Sequence, residues 1–127
     1  MSEWDVSNSD IRSMFAYAES FDGEVSGWDV SNVENTRRLF EGAKSFDGDV
    51  SGWDVSNVED MTRMFDGAGL STENYDALLV AWQELDLEEG VPFSAGETQY
   101  SPGAPAEARQ YIIDEFGWEI TDGGMVE

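Results

Sequence analysis

Ser51-Gly-Trp-Asp-Val-Ser-Asn-Val-Glu-Asp-Met-Thr-Arg-Met-Phe65 decides the fold, because the chain carries it more than once. Ser26-Gly-Trp-Asp-Val-Ser-Asn-Val-Glu-Asn-Thr-Arg-Arg-Leu-Phe40 is the same stretch with four residues changed. A third, degenerate copy opens the chain as Trp4-Asp-Val-Ser-Asn-Ser-Asp-Ile-Arg-Ser-Met-Phe15. Trp28 and Trp53 lie 25 residues apart, Trp4 and Trp28 lie 24 apart, and the missing residue falls between Asn8 and Phe15. A fixed period of this size marks a repeat architecture in which each unit buries its apolar face against its neighbours.

Within each unit the pattern predicts a short extended segment followed by a helix. In Val25-Ser-Gly-Trp-Asp-Val-Ser31, Trp28 and Val30 alternate with Asp29 and Ser31, the period of a strand. Ser31-x-x-Glu34 and Ser56-x-x-Glu59 have the form of helix-capping boxes, and Ser7-x-x-Asp10 is a weaker version. Behind them Val58, Met61, Met64, Phe65 and Ala68 recur at helical spacing, as do Val33, Leu39, Phe40 and Ala43. Gly42 and Gly67 end the expected helices, and such short helices need stacking to persist. Asn8, Asn32 and Asn57 recur at one place in the unit, where a backbone-bonding ladder explains them better than ligand contact. Trp4, Trp28 and Trp53, with Phe15, Phe40 and Phe65, are the expected repeated core. A tryptophan left exposed would instead be a stacking platform for carbohydrate.

After Ala68 the repeat stops. Leu70 to Leu85 predicts an amphipathic helix capped at Ser71 or Thr72, with Tyr75, Leu78, Leu79, Trp82 and Leu85 inward. Val91-Pro-Phe-Ser-Ala95 predicts a strand, with its proline at a start or edge. Pro105 opens a second helix through Phe116, with Ala108, Tyr111, Ile112 and Phe116 inward, and Trp118 to Thr121 forms a last strand. The expected organisation is one α/β domain: about three strand–helix units over 1–69, a helix–strand–helix–strand cap over 70–124, and a tail over 125–127.

The 127 residues include 28 acidic and 6 basic ones and no histidine, for a net charge of −22. That charge repels nucleic-acid backbones and anionic membrane surfaces. Aromatic residues make up 13% of the chain, enough to fold despite the charge. No cysteine is present, so disulfides and thiolate sites are excluded. No apolar run approaches the roughly 20 residues that span a bilayer, and the N-terminus has no secretion-signal pattern. The chain begins almost on a repeat tryptophan, which favours a fragment of a longer array.

The quoted residues, above all Ser45-Phe-Asp-Gly-Asp-Val-Ser-Gly-Trp-Asp-Val-Ser-Asn-Val58, resemble the 25-residue repeat of the BspA-like family of leucine-rich-repeat-like surface proteins. The segment from Leu70 to Gly124 resembles the tail that often follows such repeats. The resemblance implies a right-handed leucine-rich-repeat-like solenoid in a secreted or cell-surface protein. It further implies adhesion or recognition of a protein or glycan on another surface, with no catalytic residues. Departures are the shortened first unit, Ser9 in place of the valines at 33 and 58, and the small number of units.

Three other readings stay beside it. Asp22, Glu24, Asp47 and Asp49, with Asp29 and Asp54, align between units and could bind calcium, which takes about six to eight oxygens. The glycines beside them are equally explained as turn residues. Paired carboxylates also suit a glycosidase, but in so acidic a chain some pair always fits. The charge itself suits salt adaptation in a salt-rich habitat or a DNA-mimicking inhibitor. A spacer that self-associates through the Trp4/Val6 layer is a further structural reading. For recognition, the outward strand residues Asp5, Ser7, Asp29, Ser31, Asp54 and Ser56 are the candidates. Thermal unfolding in low salt, high monovalent salt, and low salt with millimolar calcium separates these cases. The expected outcome is a higher melting temperature in high monovalent salt, as self-repulsion is screened. A rise with calcium alone would instead mark specific aspartate sites.

Overall fold

The computed structural model describes residues 15–21 and 25–126. It is a mixed α/β structure with two helices, α1 (Thr72–Trp82) and α2 (Ala104–Phe116), and a two-stranded parallel sheet of β1 (Pro92–Ser94) and β2 (Glu119–Thr121). Their order, α1-β1-α2-β2, is the helix–strand–helix–strand order expected of the segment after the repeats. The strand–helix expectation for the repeats themselves is not met. Among the described residues no helix precedes Thr72, and the segments 33–43 and 58–68 are chains of tight turns.

The backbone hydrogen bonds give the reason. The N–H groups of Thr36, Arg38, Phe40 and Gly42 donate sideways to the carbonyls of Asp60, Thr62, Met64 and Asp66, at 2.7 to 3.0 Å. The intervening N–H groups of Leu39, Glu41 and Ala43 donate back to Thr36, Arg38 and Phe40, three residues earlier. A helix would send each of these N–H groups to the residue four back. Here alternate groups leave the unit, and the unit cannot stand without its neighbour. Left-handed backbone at Arg38 (φ 59°) and Gly42 (φ 70°) turns the chain between these bonds, and Arg63 (56°) and Gly67 (73°) do the same one unit on. Tyr17 holds the place of Gly42 and Gly67 in the first unit, and its φ is 60°. A side chain there carries roughly 1–2 kcal/mol of strain that glycine avoids.

The same ladder continues through the C-terminal segment. Met61 and Phe65 donate to the carbonyls of Pro92 and Ser94, and Ala95 donates to Thr121. β1 is therefore paired on both sides, with β2 beyond it in the register Pro92↔Glu119, Phe93↔Ile120 and Ser94↔Thr121. On the other side, Phe15 and Tyr17 donate to Leu39 and Glu41. One lateral system of bonds thus runs from the first unit to the last strand.

Aromatic columns fill the space behind the ladder. Phe15, Phe40 and Phe65 stack with centroids 6.0 and 5.6 Å apart, and Phe40 lies 3.8 Å from Phe46 with interplanar angle 7°. Trp28 and Trp53 stack at 6.1 Å, and both are buried, as the repeated-core reading requires. The Trp53 indole N–H donates to the Val25 carbonyl at 2.9 Å. Trp82 of α1 repeats that contact one unit on, donating to Val50 at 3.2 Å, so the helix takes over the tryptophan position. The Phe column ends at Phe93, which meets Phe65 edge-on at 86°.

α1 starts where Ser71 caps it, its hydroxyl accepting from the Asn74 N–H at 3.1 Å. Tyr75, Leu78, Leu79 and Trp82 are buried as expected, while Leu85 is only partly so. In α2, Ala108 and Ile112 face inward and Gly117 ends the helix in the left-handed region. Tyr111 is 46% exposed, against its expected inward position, and packs edge-on against Phe116. Asp122, buried, accepts from the Tyr75 hydroxyl at 2.5 Å and pairs with Arg109 at 2.7 Å. Arg109 lies over the Tyr100 ring, 4.8 Å from its centroid. Burial, then Asp122, pushes the Tyr75 hydroxyl pKa up, so this bond keeps its proton on tyrosine. Burial disfavours the Arg109 charge, but Asp122 outweighs it and the guanidinium is held protonated.

Trp53→Phe should destabilise the protein by about 1 kcal/mol, because it removes the indole's hydrogen bond to the Val25 carbonyl and leaves the Trp28 N–H as that carbonyl's remaining donor. Urea unfolding followed by far-ultraviolet circular dichroism measures it.

Candidate functional site

Asp-x-Ser or Asp-x-Thr recurs through the repeats, and the structure shows its work. Asp29 Oδ1 accepts from the Ser31 N–H (3.1 Å) and hydroxyl (2.6 Å). Asp49 does the same for Ser51 at 2.9 and 2.6 Å, and Asp60 for Thr62 at 2.9 and 2.6 Å. Asp54 accepts from both groups of Ser56. These are side-chain-closed turns, the alternative to helix that such residues offer the backbone. They replace the expected capping boxes: Ser31 and Ser56 bond back to Asp29 and Asp54.

Of the expected binding residues, Asp29 and Asp54 are exposed on the surface, and Ser31 and Ser56 are half-buried against them. Asp5 and Ser7 lie outside the described residues, as do Trp4 and Asn8. In the expected metal set, Asp22 and Glu24 also lie outside them. Asp47 Oδ1 accepts from the Ser71 N–H at 2.8 Å and the Asn74 amide at 2.9 Å, fastening α1 to the second unit. Asp49 is engaged with Ser51. Among the described residues no group of three or more acidic side chains is placed to hold a metal ion.

What the structure does bring together is a cleft of about 420 Å³ lined by Asn32, Glu34, Asn57, Glu59 and Glu88. Asn57 is fixed at its base, its amide donating to the Ser31 carbonyl of the preceding unit at 2.6 Å. The Glu59 N–H donates to the Glu34 carbonyl at 2.7 Å, which stacks the two glutamates one unit apart. Glu88 reaches the cleft from the loop after α1, and its carbonyl accepts from the Trp118 indole at 2.8 Å. Asn32, Glu34, Asn57 and Glu59 are all exposed. The cleft is therefore an exposed row of amides and carboxylates in register, with the Asn57 amide tied to backbone and Glu34, Glu59 and Glu88 supplying negative charge.

Sequence reasoning reads Asn32 and Asn57 as a ladder that bonds backbone, as the Asn57 amide does at the Ser31 carbonyl, and assigns Glu34 and Glu59 to helix caps. The 25-residue interval between those glutamates was the available signal. Glu88 lies outside the repeat and carries none.

Against known proteins, a family model described as "Mycoplasma protein of unknown function, DUF285" matches residues 1–82. The chain belongs to this family. The DUF285 match ends on Trp82, the last residue of α1, so it spans the repeats and the helix that takes over the tryptophan position. β1, α2 and β2 lie beyond it. No curated protein and no solved structure matches the chain. No described helix is long and apolar enough to cross a membrane.

Asp49 gives the turns a pH signature. Hydrogen bonds from the Ser51 hydroxyl and N–H hold its carboxyl below the ordinary carboxylate range. A carboxyl depressed in the folded state contributes stability that is complete above its unfolded pKa, about 3.9, and is lost as pH falls through the lower folded value. Asp49→Ala should therefore lower the urea midpoint most at neutral pH, and the difference from wild type should shrink toward pH 2. Urea titrations at pH 7, 4 and 2 would check it.

Proposed function

We propose that this chain is a non-enzymatic recognition or adhesion module of a cell-surface or secreted protein, built as a short leucine-rich-repeat-like solenoid of the BspA-like kind. The observation that supports the reading is the cleft at Asn32, Glu34, Asn57 and Glu59. It repeats the same polar groups at unit spacing on an exposed face. Many carboxylates elsewhere in the repeats are consumed in closing turns, whereas these face outward. A ladder of amides and carboxylates offers donors and acceptors at regular spacing, which suits a repeated or extended ligand on another surface. Glycan hydroxyls and the polar side chains and backbone of a protein both fit that description. Interfaces of this kind gain orientation and specificity from polar groups while shape complementarity excludes water.

The test is adhesion of beads coated with the chain to cultured cells, compared with uncoated beads and with beads carrying a Glu34→Gln, Asn57→Ala, Glu59→Gln variant. Circular dichroism verifies that the variant is folded. Wild-type beads should adhere, and the variant should lose adhesion by about tenfold, the equivalent of roughly 1.4 kcal/mol. Stripping the cells separately with protease and with glycosidases identifies which class of ligand is bound. Adhesion no greater than that of uncoated beads, or equal for wild type and variant, would sink the proposal.

A further inference from the structure

A second surface lies between α1 and the start of α2 and shares no residue with the cleft. It is a trough of about 700 Å³. α1 contributes Glu73, Asp76, Ala77, Val80 and Ala81, spaced as a single helical stripe. The buried stripe of the same helix is Tyr75, Leu78, Leu79 and Trp82, so the trough side is the one turned away from the core. A solvent-facing stripe is ordinarily polar along its length. Here its centre is Ala77, Val80 and Ala81, and Val80 is 37% exposed. Two alanines one turn apart keep the floor low, and Ala104 and Pro105 of α2 form the facing wall.

Charge then selects the occupant. Glu73 is exposed at the N-terminal end of the stripe, and Asp76 beside it holds the Ser101 N–H at 2.9 Å with one oxygen. No lysine or arginine lines the trough. Among the described residues the side-chain ion pairs involve Glu41 and Asp122, so neither Glu73 nor Asp76 has a cationic partner. An apolar floor with unpaired carboxylates at one end complements a helix face that presents aliphatic side chains flanked by lysine or arginine. An acidic or uncharged apolar partner would leave those carboxylates to be desolvated without compensation.

We propose that the α1–α2 trough is a docking site for a cationic amphipathic segment of a partner protein, its aliphatic residues seated on Ala77, Val80 and Ala81 and its basic residues on Glu73 and Asp76. The site goes beyond the adhesive reading and does not depend on it.

Calorimetric titration of the intact chain at near-physiological salt, with three synthetic peptides of about four helical turns each, tests it. One is a leucine/lysine amphipathic peptide, the second replaces its lysines by glutamates, and the third replaces its leucines by serines at unchanged positive charge. The leucine/lysine peptide should bind at least about tenfold more tightly than either of the others, and that margin corresponds to one well-buried aliphatic side chain. Val80→Ser, at an exposed position, and Ala77→Trp, which fills the floor, should each weaken the leucine/lysine peptide by about tenfold and leave the lysine/serine peptide unchanged. Equal binding of the leucine/lysine and lysine/serine peptides would reduce the attraction to net charge and overturn the proposal. Equal binding by wild type and both variants would overturn it too. A dimer in sedimentation equilibrium that Val80→Ser dissociates would assign the trough to a second copy of the chain, against the proposal. None of these outcomes involves Glu34, Asn57 or Glu59, so each stands apart from the fate of the adhesion experiment.

Discussion

Everything in the repeat region depends on where alternate backbone N–H groups go. In the second unit, half of them close turns within the unit and half bond to the next one. A buried backbone donor without a partner costs free energy comparable to a lost hydrogen bond. Each unit therefore has a standing requirement for a neighbour, quite apart from the apolar surface it buries. The aromatic columns then make the association tight, since each near-parallel Phe or Trp contact adds about 0.5–1.5 kcal/mol beyond its buried area. β1 meets the same requirement for the third unit with an ordinary strand edge, and β2 covers β1 in turn, which is how a different local structure closes the series.

This division of bonds also explains what could be read from the sequence. The 25-residue period, the repeated core at Trp28, Trp53, Phe40 and Phe65, and the order of elements after Ala68 follow from hydrophobic spacing and from Ser71, Pro105 and Gly117. The helices expected at 33–43 and 58–68 were not there, although the apolar spacing was real. Thr36, Leu39 or Phe40, Ala43 and Phe46 are all buried at intervals of three or four residues. A succession of three-residue turns produces that spacing as readily as a helix does, because side chains three apart eclipse in such turns. The signs against a helix are chemical: Asn35 and Asp60, two residues before Arg37 and Thr62, close turns inside those segments. The cleft was half legible for a related reason. Its repeated members recur with the period, whereas Glu88 arrives through the packing of the C-terminal segment.

The acidity of the chain accordingly has two components. One is architectural, in carboxylates that accept from neighbouring hydroxyl and amide groups, and in Asp47, which ties α1 to the second unit. Asp122 belongs to the same class, joining Tyr75 and Arg109 beneath the closing segment. The other component faces water, at Glu34, Glu59 and Glu88 around the cleft and at Glu73 by the trough. Replacing an acid of the first kind changes the fold, and replacing one of the second kind changes what the surface attracts. A count of net charge cannot distinguish them, although their chemistry is identical.

The edge-on meeting of Phe65 and Phe93 marks where the aromatic column stops being periodic. Upstream of that point the described boundaries share one register: Phe15 and Tyr17 bond to Leu39 and Glu41 as Phe40 and Gly42 bond to Met64 and Asp66. A gene that gains or loses a 75-nucleotide block there preserves its reading frame and presents the same closing surface to α1 and β1. Copy number can therefore drift by unequal recombination while the terminus stays fixed. Lineages carrying such arrays could vary the reach of the protein and the number of exposed amide–carboxylate rungs without redesigning any contact.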